Sequence, residues 1–210
     1  MILPDENCQL CPRLVGYRNE NRKLYPDWHN GPVKSSGHLN AELYILGLAP
    51  GLKGANCTGT PFMGDHAGKL LYKTLIKFDF ARQISDLSHE NGIKLMNCRI
   101  GNAVRCVPPK NKPNGQEINQ CARFLTEEFS KLSNVKVILA LGTIAHNSAL
   151  GVFNLKKSKW KFSHNAFHDL GVGPVLIDSY HCSRYNTNTG RLTEDMFCSV
   201  FTKIRKIITG

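Results

Sequence analysis

Three side chains that can hold or exchange protons stand just beyond apolar runs of the chain: Asp65, Asn102 and His181. A carboxylate, an amide and an imidazole are the groups from which acid–base hydrolysis and hydrogen-bonded recognition are built. Asp65 closes a stretch running from Gly47-Leu48-Ala49-Pro50-Gly51 to Gly64-Asp65-His66-Ala67-Gly68, which begins where Leu43-Tyr44-Ile45-Leu46 ends. Eighteen positions separate Gly47 from Asp65, more than a strand-to-helix connection needs, and long ordered loops usually serve a site. With Phe62 as an aromatic face, that stretch has the contents of a pocket. Each residue also has a plain structural use: Asp65 as a helix N-cap, Asn102 as a strand-end amide, His181 as a loop histidine.

Sulfur forms a second constellation. Cys8 and Cys11 make a Cys-x2-Cys pair, and Cys106 is followed by Cys121 after fourteen intervening residues. Four soft sulfur ligands select zinc or an iron–sulfur cluster, and spacing alone does not choose between them. Joining 8/11 to 106/121 would pin residues 1–40, a polar and irregular leader, to the rest of the chain. Such a closed site holds a fold and performs no catalysis. Of the remaining cysteines, Cys98 and Cys198 are expected to be buried.

The elements that must position these groups alternate. β-rich runs at Glu42–Leu48, Cys98–Val104, Val135–Gly142 and Val175–Tyr180 are interleaved with helical patterns at Gly68–Phe78, Gly115–Leu132, Thr143–Leu150 and Thr193–Ile208. Ile118, Cys121, Ala122, Leu125 and Phe129 recur at helical spacing within the second of these helices. Alternating β and α predicts an α/β fold with a parallel sheet covered on both faces. In such sheets ligands sit outside the carboxyl ends of the strands. The first strand leads to Phe62 and Asp65, the second to Asn102 and the fourth to His181, so all four converge on one edge.

The totals set limits. The chain has 210 residues, enough for a single domain over 1–210 with a sizeable core. Lys plus Arg exceed Asp plus Glu by 27 − 16 = 11, which points to a polyanion, most commonly nucleic acid. No export signal is visible at Met1-Ile2-Leu3-Pro4-Asp5-Glu6 and no apolar run is long enough to span a bilayer, so a cytoplasmic, reducing compartment and no membrane partner are expected. The loop from Ser183-Arg184 to Arg191 suits phosphate contacts or insertion into a groove, but spells no phosphate-cradling motif, which argues against nucleotide hydrolysis. Lys156-Lys157-Ser158-Lys159-Trp160-Lys161 reads either as a nucleic-acid patch with a stacking Trp160 or as a solvated loop with Trp160 turned inward.

Three stretches carry a resemblance. Gly47-Leu48-Ala49-Pro50, Gly54-Ala55-Asn56, Thr58-Gly59, Pro61-Phe62 and Gly64-Asp65 form the first; Asn102-Ala103-Val104-Arg105-Cys106 with Pro108-Pro109 and Asn111-Lys112-Pro113 the second; Ser179-Tyr180-His181, Ser183-Arg184 and residues 186–193 the third. In this order they resemble the motifs of the uracil-DNA glycosylase superfamily, and most closely its iron–sulfur family 5, over nearly the whole chain. The resemblance implies a three-layer α/β/α sandwich with a central four-stranded parallel sheet. It also implies a [4Fe–4S] cluster on Cys8, Cys11, Cys106 and Cys121. Its activity would be hydrolysis of the N-glycosidic bond of uracil, and of other deaminated bases such as hypoxanthine, in damaged DNA, by a monomer initiating base excision repair.

Residue by residue, the resemblance makes Asp65 the acid that stabilises the sugar cation and activates water, and His181 the donor to the departing base. Asn102 reads the base edge, Phe62 stacks on it, and Gly47 and Ala49 complete the base-binding slot. Ser183, Arg184 and Arg191 would contact DNA. Lys53 and Lys69 fall on none of the family's pocket positions, so a monofunctional glycosylase is expected rather than one with an amine nucleophile. The chain departs from the family at Cys57 and Thr60, where arginine is usual, and at Cys182, where proline is usual; Gly51 stands where sister families carry a polar residue. Two rival readings are a catalytically inactive iron–sulfur nucleic-acid-binding protein and a zinc-stapled structural domain.

Overall fold

Four largely apolar runs form the buried centre of the fold. The computed structural model describes residues 3–84 and 92–210. In chain order its elements begin with helix α1 (Pro12–Leu24), strands β1 (Ser36–Gly37) and β2 (Leu43–Gly47), and helices α2 (Ala55–Thr58) and α3 (His66–Lys77). Next come β3 (Ala81–Gln83), β4 (Ile93–Leu95), β5 (Cys98–Asn102), α4 (Gly115–Phe129), β6 (Val137–Leu141) and α5 (Thr143–Val152). The chain ends with β7 (Phe167–His168), β8 (Val175–Ser179), α6 (Arg184–Asn188) and α7 (Glu194–Thr209).

Strands β5, β2, β6 and β8 lie side by side and parallel, with Gly47 opposite Asn102 and Leu139 opposite Ile177. Every residue of β2, β5 and β6 is buried. One face is covered by α3 and α7, whose Leu71, Leu75, Phe197, Val200, Phe201 and Ile204 pack on the sheet. The other is covered by α4 and α5 through Leu125, Ala145, Ala149 and Leu150. This is the expected three-layer sandwich. Two-residue antiparallel strands, β1 on β5 and β7 on β8, extend the parallel core to six strands. A separate antiparallel pair joins β3 to β4.

The irregular leader is corrected. Pro12 opens α1, a thirteen-residue helix, at the position where a missing N–H costs nothing. Its buried face is Leu14, Arg18 and Asn21, polar at two positions of three, so no apolar stripe announces it. Arg13 ties α1 to α4, its Nε and Nη2 each 2.7 Å from a Glu117 oxygen, and Glu117 also closes the capping box with Asn114. Below the second face, Glu128 receives Arg99, Arg105 and the Tyr44 hydroxyl. Burial works to raise the Glu128 carboxyl, but the two guanidinium groups hold it below the usual carboxylate range.

Trp160 is turned inward, edge-on to His168 at 5.9 Å, and its carbonyl meets His146 Nε2 at 3.0 Å. The inward reading of that basic stretch is therefore the correct one. Cys98 is buried as expected, whereas Cys198 is only half-buried, 3.6 Å from Lys77 Nζ. No helix among the described residues is long and apolar enough to cross a membrane.

Candidate active site

The loop leaving β2 must cross the carboxyl edge of the sheet before α3 begins, and its small residues let it lie close. Phe62 takes the left-handed conformation (φ +60), rare for an aromatic residue, and Tyr72 Oη donates to the Pro61 carbonyl at 2.9 Å to hold that turn. The Phe62 carbonyl lies where any Cβ at position 68 would stand, so only Gly68 admits this approach of loop to helix. Asp65 caps α3, its Oδ1 accepting from Gly68 N at 2.9 Å, and its carboxylate lies against Gly51 and Gly54. Burial raises the Asp65 carboxyl above the ordinary aspartate value, although the Gly68 and Ala67 amides pull the other way.

Asn102 ends β5 directly beside the end of β2. Its side chain is 3% exposed, and its Oδ1 has no hydrogen-bond partner. A buried acceptor left unpaired costs about 1–3 kcal/mol, and such an atom in a native fold calls for an explanation. A side chain on Gly47 would meet it, since a Cβ there would lie 2.3 Å from Asn102 Oδ1 and 2.6 Å from Phe62 Cζ. The slot between these groups is kept open by a glycine.

His181 follows β8, and its ring stacks beside Phe62 with centroids 5.9 Å apart and planes 26° from parallel. Burial lowers its imidazole from 6.5 to about 4, so it is neutral at pH 7 and presents one N–H. The Asn186 side-chain amide donates to the His181 carbonyl at 2.8 Å, anchoring the loop through α6.

These elements enclose a cleft of about 380 Å³ whose walls include Ala49, Phe62, Asp65, Asn102, His181 and Arg184. Ser183 also lines it, and its hydroxyl caps α6. Gly47 lies beneath, against Asn102 and Phe62. Arg191 does not line the cleft; its guanidinium sits 4.6 Å from the Tyr180 ring centroid. Three residues of the region were not singled out from sequence. Asn111, at φ +54, and His66, whose Nε2 is 3.0 Å from Thr187 Oγ1, both line the cleft. Tyr185 stands 71% exposed beside Arg184. A lone aromatic within an otherwise polar loop is the signal for Tyr185, and Asn111 stands in the second stretch of the resemblance without a role assigned to it; nothing comparable marks His66.

Cys8, Cys11, Cys106 and Cys121 meet in one pocket between α1, the end of β5 and α4, walled by Leu14, Val104 and Phe124. Burial first, then repulsion from Cys121, pushes Cys106 up to about 12; burial pushes Cys121 to about 11 against the opposing pull of Arg105. The Arg105 amide donates to Cys121 Sγ at 3.2 Å. Arg18 is buried beside them, its Nε and Nη1 without partners. A cationic group with free donors facing four sulfurs fits an anionic metal–thiolate centre.

An open cleft at the carboxyl edge of a parallel sheet, with an acid, an amide, a neutral imidazole and a stacking ring, defines a site for a flat, hydrogen-bonding ligand. The chain belongs to the uracil-DNA glycosylase superfamily: the family model described as "Uracil DNA glycosylase superfamily" matches residues 35–205. It is 40% identical over 206 residues to the "Type-5 uracil-DNA glycosylase" of Thermus thermophilus, covering 95% of this chain and 93% of that one. The protein of the same description from Pyrobaculum aerophilum is 34% identical, covering 92% of this chain and 86% of that one. A "Type-4 uracil-DNA glycosylase" of Thermotoga maritima is 32% identical, covering 72% of this chain and 69% of that one.

Proposed function

We propose that this chain is a monofunctional DNA glycosylase that hydrolyses the N-glycosidic bond of uracil, and of other deaminated bases such as hypoxanthine, in damaged DNA. It acts as a cytoplasmic monomer, one domain over 1–210, and leaves an abasic site for base excision repair. The observation that carries this reading is the buried, unpartnered Asn102 Oδ1 beside Phe62, in one cleft with Asp65 and His181. The descriptions of its type-5 relatives support it.

A base inside a duplex must leave the stack to reach such a cleft. Asn102 Oδ1 then accepts an imide N–H of the base, satisfying the atom the fold leaves unpaired, while the Phe62 ring covers one face. Heterolysis of the bond between sugar C1′ and the base nitrogen leaves positive charge on the sugar and the electron pair on the base. Asp65, its Oδ1 held by the Gly68 amide, stabilises that cation and takes a proton from the water that adds at C1′. His181, neutral because of burial, donates its N–H to the base anion without first having to lose a proton itself. Solvent protonates the released base.

At the rim of the cleft, Arg184 and the exposed Tyr185 beside it flank the place where a base leaves the stack, and unstacking costs a few kcal/mol that phosphate contacts offset. Cys8, Cys11, Cys106 and Cys121 would hold a [4Fe–4S] cluster in this reading, which the likeness to type-5 relatives supports and for which Arg18 supplies a facing cation. The cluster's chemistry is structural: it joins α1 to β5 and α4.

The test is strand cleavage. Purified protein is incubated with labelled duplexes carrying one uracil or one hypoxanthine, and alkali then cuts any abasic site. Cleavage at the lesion is expected only after alkali, as a monofunctional enzyme requires. Binding to either duplex with no cleavage would instead establish a reader that has lost turnover.

A further inference from the structure

Beside the base cleft, on the side of the α3 N-terminus, lies a second open cleft of about 450 Å³. The two share Gly51, Asp65, His66, Asn111 and Arg184, so they form one continuous groove around Asp65. Only the second adds cations: Lys53 from the loop after β2 and Lys69 from the first turn of α3 join Arg184. Several other basic side chains are neutralised by carboxylates. Lys73, one turn further along α3, meets Glu194 at 2.8 Å; Lys136 meets Glu42 at 2.6 Å; Arg13 meets Glu117. Lys53, Lys69 and Arg184 make no ion pair or hydrogen bond through their side chains among the described residues, and all three are exposed.

The one carboxylate in this groove, Asp65, has its Oδ1 occupied by the Gly68 amide and is tucked against Gly54, where a Cβ would lie 2.7 Å from Oδ2. The wall there is backbone without side chains, Gly54 and Gly64, the latter at φ +84. A bulky anion can therefore approach closely. Three free cations converging on a groove floored by glycine are complementary to a tetrahedral dianionic or monoanionic group, and the groove runs directly from the sugar-facing acid.

We propose that this second cleft is a phosphodiester subsite, in which Lys53, Lys69 and Arg184 hold the backbone phosphate adjoining the extruded nucleotide and so set the sugar against Asp65. The inference rests on the glycosylase reading and adds to it the residues that grip the substrate strand. Two lysines that each neutralise a phosphate contribute about 1 apiece to the slope of log affinity against log salt.

The test pairs the protein change with a change in the DNA. Lys53→Ala/Lys69→Ala and wild type are titrated with a uracil duplex over a range of salt, alongside a control, Lys131→Ala/Lys206→Ala, that removes the same charge from remote exposed positions. The salt slope is expected to fall by about 2 in the first variant and by much less in the control. The same titrations use duplexes with one neutral methylphosphonate immediately 5′ or 3′ of the uridine. One of the two should weaken wild type severalfold while changing the double variant less than twofold, because the contact is already gone. Equal losses in wild type and variant at both positions, or equal slopes for the variant and the control, would overturn the subsite. Wild-type excision of unmodified uracil duplex separates the two readings: excision without coupling refutes only the subsite, and absence of excision refutes the glycosylase.

Discussion

A methyl group on Gly47 would stand 2.3 Å from Asn102 Oδ1 and 2.6 Å from the Phe62 ring, well inside contact distance. The ring and the amide must then give way by about an ångström in the slot a base would fill. Gly47→Ala is expected to lower single-turnover uracil excision by about 10²-fold, the penalty usual for misplacing reacting groups by about an ångström, with little loss of duplex affinity. Parallel rate and binding measurements check it, and an unchanged rate would mean the base does not enter between Phe62 and Asn102. His181 supplies a pH signature. Its imidazole titrates at 6.5 when free and at about 4 in the fold, where burial disfavours the charged form. Between those values the unfolded chain binds a proton that the folded chain does not. Stability should thus be full above 6.5 and fall as pH drops toward 4. His181→Gln should flatten the melting-temperature profile in that window, and an identical profile in both proteins would contradict the buried neutral imidazole. Phe62, Asp65, Asn102 and His181 were legible in the sequence because each lies where an apolar run or its long loop ends. A place in the cleft for Asn111, quoted only as part of a motif, and for His66 was not: backbone geometry, a φ of +54 at Asn111 and the docking of α3 on α6, brings them there.

The same contrast separates the elements. The parallel strands could be read because burial on both faces demands unbroken apolar runs, and their helices because a 3.6-residue stripe faces the sheet. Helix α1 escaped that reading since its buried face presents Arg18 and Asn21, chosen to meet the cysteine pocket and the loop after it rather than an apolar surface. Strands β1 and β7 are two residues each, too short for alternation to register; β1 is kept in place by Arg99, which donates to the Gly37 carbonyl and to Glu128. Because α1 contributes so little apolar surface, its attachment depends on Arg13–Glu117 and on whatever Cys8 and Cys11 bind. If the four cysteines hold the proposed [4Fe–4S] cluster, Cys106→Ser should abolish its brown colour, iron and sulfide, and make the segment around α1 the first site of limited proteolysis, while the sheet core persists. Unchanged resistance of that segment would show that the cysteine centre does not fasten α1.

At the scale of the molecule, a net charge of +11 announced an anionic partner, but composition carries no position. The structure gathers Lys53, Lys69 and Arg184 beside Asp65 and pairs several other cations with carboxylates, which no count of residues could reveal. The cleft, the charge and the family agree on one activity, and the proposed mechanism makes it depend on Asp65. The same residue caps α3, so its replacement by alanine would mix lost chemistry with a lost cap, typically about 1 kcal/mol. Asp65→Asn keeps an oxygen for Gly68 N and removes only the charge. The decisive measurement is single-turnover excision of uracil from duplex DNA by wild type and Asp65→Asn, with the melting temperature of each. The account predicts a rate lower by about 10²–10⁴-fold, the range for a positioned general base, at nearly unchanged melting temperature. Excision by Asp65→Asn at the wild-type rate would contradict it.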